Sequence, residues 1–166
     1  MSSRKIYVIG SLRNPAVTSI SGKLRGLGYE VFDDWYAAGP EADDKWRDYE
    51  KERGRTYIEA LVHGHAAEHV YSYDKYHLDT SDAAILVLPA GRSGHLELGY
   101  MIGRNCPSFI LLDNPDRWDV MYKFADVVTQ DEATLLSAVR AIAPVSKSSM
   151  GYSASAFNSL LRKGCR

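Results

Sequence analysis

"AAILVLP", residues 83–89, is apolar from end to end and shows none of the polar alternation of a strand with one face in water. Such a run is a strand covered on both faces, the kind that sits centrally in a parallel sheet. Before it, "AEHVYSYDKYHLDTSD" carries Val70, Tyr73 or Asp74, Leu78 and Ser81 along one side of a helix. After it, "GHLELGYMIGRN" forms another helix. Helix, buried strand, helix is the alternation of an α/β protein.

The rest of the chain repeats that alternation. "KIYVIG" (residues 5–10) is a short β-branched and aromatic run ending in Gly10. The helix after it has Val17, Ile20, Leu24 and Leu27 at helical spacing, with Asn14 as N-cap, Pro15 in the first helical position and Gly28 past the end. "YEVFDDW" reads as the second strand, and residues 41–67 as one long or two shorter polar helices broken by Gly54 and Gly64. "PSFILLD" is the fourth strand, "DRWDVMYKF" a short helix and "ADVVTQ" the fifth strand. "DEATLLSAVRAIA" closes the unit, with Asp131 placed to cap its N-terminus. Five strands alternating with helices predict a flavodoxin-like, Rossmann-like three-layer sandwich with a parallel sheet in the order 2-1-3-4-5. Residues 1–145 form this domain, and residues 146–166 read as a Ser-rich tail with a short helix in "AFNSLLRKG".

Composition narrows the function classes. The chain of 166 residues has 20 Lys and Arg against 21 Asp and Glu, so neither a nucleic acid polymer nor an anionic membrane is an expected partner. Cys106 and Cys165 match no metal spacing and predict no disulfide framework. The apolar run before Gly10 is too short for a signal h-region, and the expected location is cytoplasmic. Eleven tyrosines exceed what a small core uses, which assigns some of them to a cleft or a subunit interface.

In such a sheet, ligands bind beyond the carboxyl ends of the strands, where the strand order reverses, here between the first and third strands. Two loops meet there. "GSLRNP" offers Gly10 for close approach, the Ser11 hydroxyl, the Arg13 guanidinium and the helix N-terminus beyond, a set suited to an anion or to sugar hydroxyls. "PAGRSGHLELGY" offers Gly91, Ser93 and Gly94 for backbone approach, and Glu97 in the early turns of the following helix. Two uses are open to Glu97, complementing the helix dipole or attacking a sugar carbon. Asp74, on the helix leading into the central strand, either supports Glu97 or is a surface acid beside Lys75. Asp34, Trp35 and Tyr36 follow the second strand, where the aromatics stack on a base or form a lid over the core. His63, His65 and His69 lack a metal-binding spacing, and Cys106 reads as packing; no metal site is expected.

Taken together, "IYVIGSLR", Asp74 eight residues before Asp82, and "GRSGHLELGY" resemble the nucleoside 2-deoxyribosyltransferase family across residues 5–143. That superfamily also contains 2'-deoxynucleoside 5'-monophosphate N-hydrolases. The resemblance implies cleavage of an N-glycosidic bond at the anomeric carbon without a cofactor. Glu97 would be the nucleophile, forming a glycosyl-enzyme intermediate, and Asp74 the acid that supports it. Tyr7, Gly10 and Ser11 would line the sugar pocket, with Ser93 and Gly94 its second half. Arg13 resembles the arginine that the nucleotide hydrolases use at the phosphate. The family is usually dimeric, and a neighbouring subunit completes the site with a polar-x-Met element, matched here by Asp119 and Met121. Asp119 departs from the Asn of the transferases and the Ser of the hydrolases, and an aspartate there repels a 5'-phosphate. Gly91 stands where transferases often carry a base-contacting Asp. The leading expectation is deoxyribosyl transfer between bases, in a homodimer or higher oligomer. Its rivals are 5'-monophosphate hydrolysis and non-catalytic nucleotide binding in the same crevice.

Overall fold

The apolar run forms β3 (Ala83–Val87), buried at every residue. On one side it pairs in parallel with β1 (Lys5–Ile9), in the register Tyr7 to Ala84 and Ile9 to Leu86, and on the other with β4 (Ser108–Leu111). The edges are β2 (Glu30–Phe32) beside β1 and β5 (Val127–Thr129) beside β4. The order β2-β1-β3-β4-β5, all parallel, is the flavodoxin-like arrangement that the alternation predicts. The structure is a computed structural model that describes residues 4–114 and 118–143. The tail expected over residues 146–166 lies outside the described residues.

Helices α1 (Ala16–Gly26) and α6 (Glu132–Ile142) cover one face of the sheet; α4 (His65–Asp79) and α5 (Arg92–Gly103) cover the other. The period of two along β1 divides the core between them. Ile6 and Val8 join Val17, Ile20, Leu24, Leu135 and Val139 of α1 and α6. Tyr7 and Ile9 point the opposite way, toward Leu78 of α4 and Leu98 and Met101 of α5. Strand parity therefore places the Tyr7 hydroxyl in the layer that carries Asp74 and Glu97.

Several boundaries differ from the expectation. The segment read as one or two helices is three: α2 (Ala42–Glu52), α3 (Tyr57–His63) and the start of α4. Thr56 and Glu59 form a reciprocal capping box that starts α3. Gly64 separates α3 from α4, and a Cβ there would overlap the Ala60 carbonyl oxygen. Residues 33–35 leave β2 early: Asp33 is held by Arg25, and the chain turns into a 3-10 helix, Asp34–Ala38. The helix expected over 116–124 is a 3-10 helix, Val120–Phe124. At α1, the helix begins at Ala16, while the Asn14 side chain still accepts from the Ala16 amide at 3.0 Å. Asp131 caps α6 as expected, accepting from the Thr134 amide at 2.7 Å. No helix among the described residues is long and apolar enough to cross a membrane.

Candidate active site

The two loops at the switch point are stapled together by a residue the sequence reading treated only as a cap. Asn14 is buried, and its Nδ2 donates to Val87 O at 3.3 Å and Pro89 O at 3.4 Å. Its Oδ1 holds the start of α1, so one side chain fixes the loop after β1 against the loop after β3. Gly10 belongs to the same junction. A Cβ there would come within 2.5 Å of Val17 Cγ2 and 3.3 Å of Val87 O. Trp35 lies beside it and donates Nε1–H to Val8 O at 2.9 Å, so the indole is an anchored wall of the crevice.

The early turns of α5 carry Glu97 into this crevice, half-buried. Its carboxyl is pushed up to about 8, first by loss of solvation and then by the negative charge of Asp74. A carboxylate that merely complemented a helix dipole would be shifted down, and no hydrogen bond to the Glu97 side chain occurs among the described residues. Asp74 is also half-buried and is raised to about 6 by loss of solvation. Its neighbour Lys75 does not neutralise it. That ammonium pairs with Asp79 at 2.6 Å and lies over the Tyr100 ring.

Within the field of both is Tyr7, fully buried, whose hydroxyl has no partner among the described residues. Burial raises its pKa, and the charges of Glu97, Asp74 and Tyr73 add to the shift. Tyr73 is itself raised, first by loss of solvation and then by the charge of Asp34, so the end of β2 lies near the same group. Two raised acids and an unpaired phenol close together cost stability, and perturbed groups of this kind are candidates for a functional site. A carboxylate held in a poorly solvated pocket is a stronger nucleophile and base than one in water, and the phenol is a free hydrogen-bond donor.

The remaining candidates divide. Ser11 shapes its loop, its Oγ accepting from the Arg13 amide at 3.2 Å. Gly91 has open space around it, whereas Gly94 is packed, with a Cβ there reaching Ile9 Cγ2 at 2.9 Å. Gly94 thus seats α5 on the sheet. Ser93 is exposed. Arg13 is turned to α2, pairing with Asp44 at 3.0 Å and lying 4.0 Å from Glu41. Asp119 caps the 3-10 helix by accepting from the Met121 amide at 2.9 Å, and Met121 is 57% exposed.

His95 ties that 3-10 helix to the site. Its Nδ1–H donates to Gly91 O at 2.8 Å, which leaves Nε2 to accept from the Tyr122 hydroxyl at 2.9 Å. His95, Asn14 and Tyr73 were not singled out as site residues by the sequence reading. The i, i+4 spacing of Gly91 and His95 was the available signal for one of them.

Elsewhere, a hollow of about 340 Å³ on the α1 and α6 layer is lined by Leu27, Ala133, Leu136, Ser137 and Arg140. Its lining contains no acid. Among the described residues no three His, Cys, Asp or Glu side chains gather to hold a metal. No protein-family model matches the chain, and no curated protein matches it either.

Proposed function

We propose that this protein cleaves the N-glycosidic bond of a 2'-deoxynucleoside with Glu97 as nucleophile and passes the deoxyribosyl group to another base, as its resemblance to the nucleoside 2-deoxyribosyltransferases implies. The observation that carries the reading is the half-buried, raised pair Glu97 and Asp74 at the carboxyl end of β3, with the unpartnered Tyr7 hydroxyl beside it.

A Glu97 oxygen attacks C1', the C1'–N bond breaks, and its electron pair leaves with the base, which takes up a proton. The resulting ester is opened by the nitrogen of a second base, with net retention. Positive charge developing at C1' favours the ionised form of Glu97, so binding and bond cleavage draw the carboxylate out of its protonated resting state. Asp74 positions Glu97 and holds sugar hydroxyls, and Tyr7 donates to the carboxylate or the sugar.

The second subunit expected of this family has a surface to meet. Leu96 on α5, Val120, Met121 and Phe124 on the 3-10 helix and Trp118 just before it are exposed, large apolar side chains of the kind found at interfaces. Pairing there would present Asp119 and Met121 to the partner's crevice.

Hydrolysis is the second reading, favoured by the open space at Gly91 where base contacts would be expected. Incubating the protein with a deoxynucleoside, with and without a second free base, decides between them. Appearance of the exchanged nucleoside supports transfer. Loss of base to water alone identifies a hydrolase, and binding without product overturns both in favour of a nucleotide-binding module.

A further inference from the structure

Resting on the glycosidic reading above, we infer that Asp44, assisted by Glu41, is a specificity-determining residue that fills the anion position of the crevice and so selects substrates with an uncharged 5' end. In doubly wound sheets the loop after β1, at the N-terminus of α1, is where a ligand's anion is received. The cation there is Arg13, and it already holds a carboxylate. Asp44 Oδ2 accepts from Arg13 Nη2 at 3.0 Å, and Glu41 lies 4.0 Å away.

Asp44 is fixed in that place from its other side, its Oδ1 accepting from Arg47 Nη1 at 2.8 Å. Arg47 is itself shared with Asp48 at 2.9 Å. Two guanidinium groups thus face three acids, Glu41, Asp44 and Asp48, and the patch has no surplus positive charge. A 5'-phosphate, carrying about −1.5 to −2 at neutral pH, would have to share Arg13 with Asp44 and lie beside both Asp44 and Glu41. A nucleoside's 5'-hydroxyl meets no such opposition and can donate to a carboxylate.

The same pair links α2 to the loop after β1, while α3 packs the segment against α4. Beyond chain continuity at its ends, the Arg13 to Asp44 bond is the one hydrogen bond among the described residues joining 42–63 to the α/β body. No residue of that segment belongs to either core cluster. The segment therefore brings its acids to Arg13 and contributes nothing to the cores beneath.

The test compares base release from a deoxynucleoside and from its 5'-monophosphate, for the natural protein, D44N/E41Q and R13A/D44N/E41Q. Both substitutions keep a hydrogen-bond acceptor and remove the charge. The natural protein is expected to prefer the nucleoside by about tenfold or more, and D44N/E41Q to reduce that preference about tenfold through a lower KM for the monophosphate. Adding R13A should restore the preference. Equal use of both substrates by the natural protein, or an unchanged ratio in D44N/E41Q, overturns the inference. Calorimetry with inorganic phosphate separates it from the glycosidic reading. If no form releases base, that reading fails, while tighter phosphate binding by D44N/E41Q than by the natural protein still supports the role of Asp44, and equal binding overturns it.

Discussion

The two helical layers on this sheet are built to different ends. On the α1 and α6 side the helices send Val17, Ile20, Leu24, Leu135 and Val139 into the core, and neither helix exposes a large apolar side chain. Its acids are partnered: Glu132 pairs with Lys23 across the two helices, and Asp131 is a cap held below the usual carboxylate range by its bonds to Thr134. On the α4 and α5 side, Asp74 and Glu97 are raised by burial, the Tyr7 hydroxyl is unpaired, and Leu96, Tyr71 and Tyr76 stand in water. The α1 and α6 layer also leaves one side-chain polar atom, Ser21 Oγ, buried without a partner among the described residues, but it carries no raised carboxyl and its helices expose no large apolar side chain; those are the respects in which the two layers differ.

The sharpest way to break that contrast is to change one acid in each layer. Glu97→Gln removes the attacking oxygen's charge and should lower the rate of base release about 10³-fold, whereas Asp131→Ala should leave the rate unchanged and lower the melting temperature by a few degrees. Full turnover by Glu97→Gln in a purified sample would end the assignment of Glu97 as nucleophile.

The pH dependence follows from the same burial. Since the Glu97 carboxyl rises from 4.5 to about 8 on folding, the folded protein binds that proton more tightly than the unfolded chain. The stability it contributes is complete below pH 4.5 and is lost as the pH rises through 8. Melting curves of the natural protein and Glu97→Gln should therefore diverge between pH 5 and 9, with the variant the more stable at the alkaline end. Activity runs the other way, with kcat/KM rising as Glu97 ionises, up to about pH 8. Asp74→Asn removes the charge that adds to the shift and should move this limb to lower pH. An unmoved limb would mean that the two carboxyls do not share a field.

How far these features were legible in the sequence depends on their range. β3 declared itself because a strand buried on both faces has no polar alternation, and Asp131 because capping is a matter of neighbouring residues. The crevice acids were visible as candidates, but local sequence leaves Glu97 open between a dipole charge and a nucleophile, and only the family resemblance favours the second. That choice depends on desolvation by residues far apart in the chain. The Arg13 to Asp44 pair and the Asn14 staple were illegible for the same reason: each joins segments 31 and more than 70 residues apart. Asp33 shows the local failure. Its β-like neighbours extended the predicted strand, while its bond to Arg25 pulls the chain into the 3-10 turn that aims Trp35.

The exposed apolar side chains supply the next test. If the α4 and α5 layer is covered by a second copy, light scattering should give the mass of at least two chains, and Leu96→Lys with Val120→Lys should reduce it to one. The matched change on the closed layer, Ser137→Lys on α6, should leave the mass intact. A natural protein that runs as one chain would leave the patch to some other partner.

The smallest effect is the most discriminating, because it uses one substitution in both layers. Gly22 of α1 and Gly99 of α5 each sit in an exposed helix surface with nothing within 4 Å of a Cβ. In a helix interior Ala is favoured over Gly by about 0.5–1 kcal/mol, so both replacements should raise the stability of the single chain by a similar amount. They should part in the assembly. Gly103 follows Gly99 by one turn beneath Leu96, leaving a strip of bare backbone along the outer face of α5 that a second helix can approach closely. Gly99→Ala places a methyl in that contact and should weaken association, measured as a dissociation constant by analytical ultracentrifugation, while Gly22→Ala leaves it unchanged. Equal behaviour of the two variants would mean that the outer face of α5 is as solitary as that of α1, and that the contact between copies, if any, lies elsewhere on the open layer.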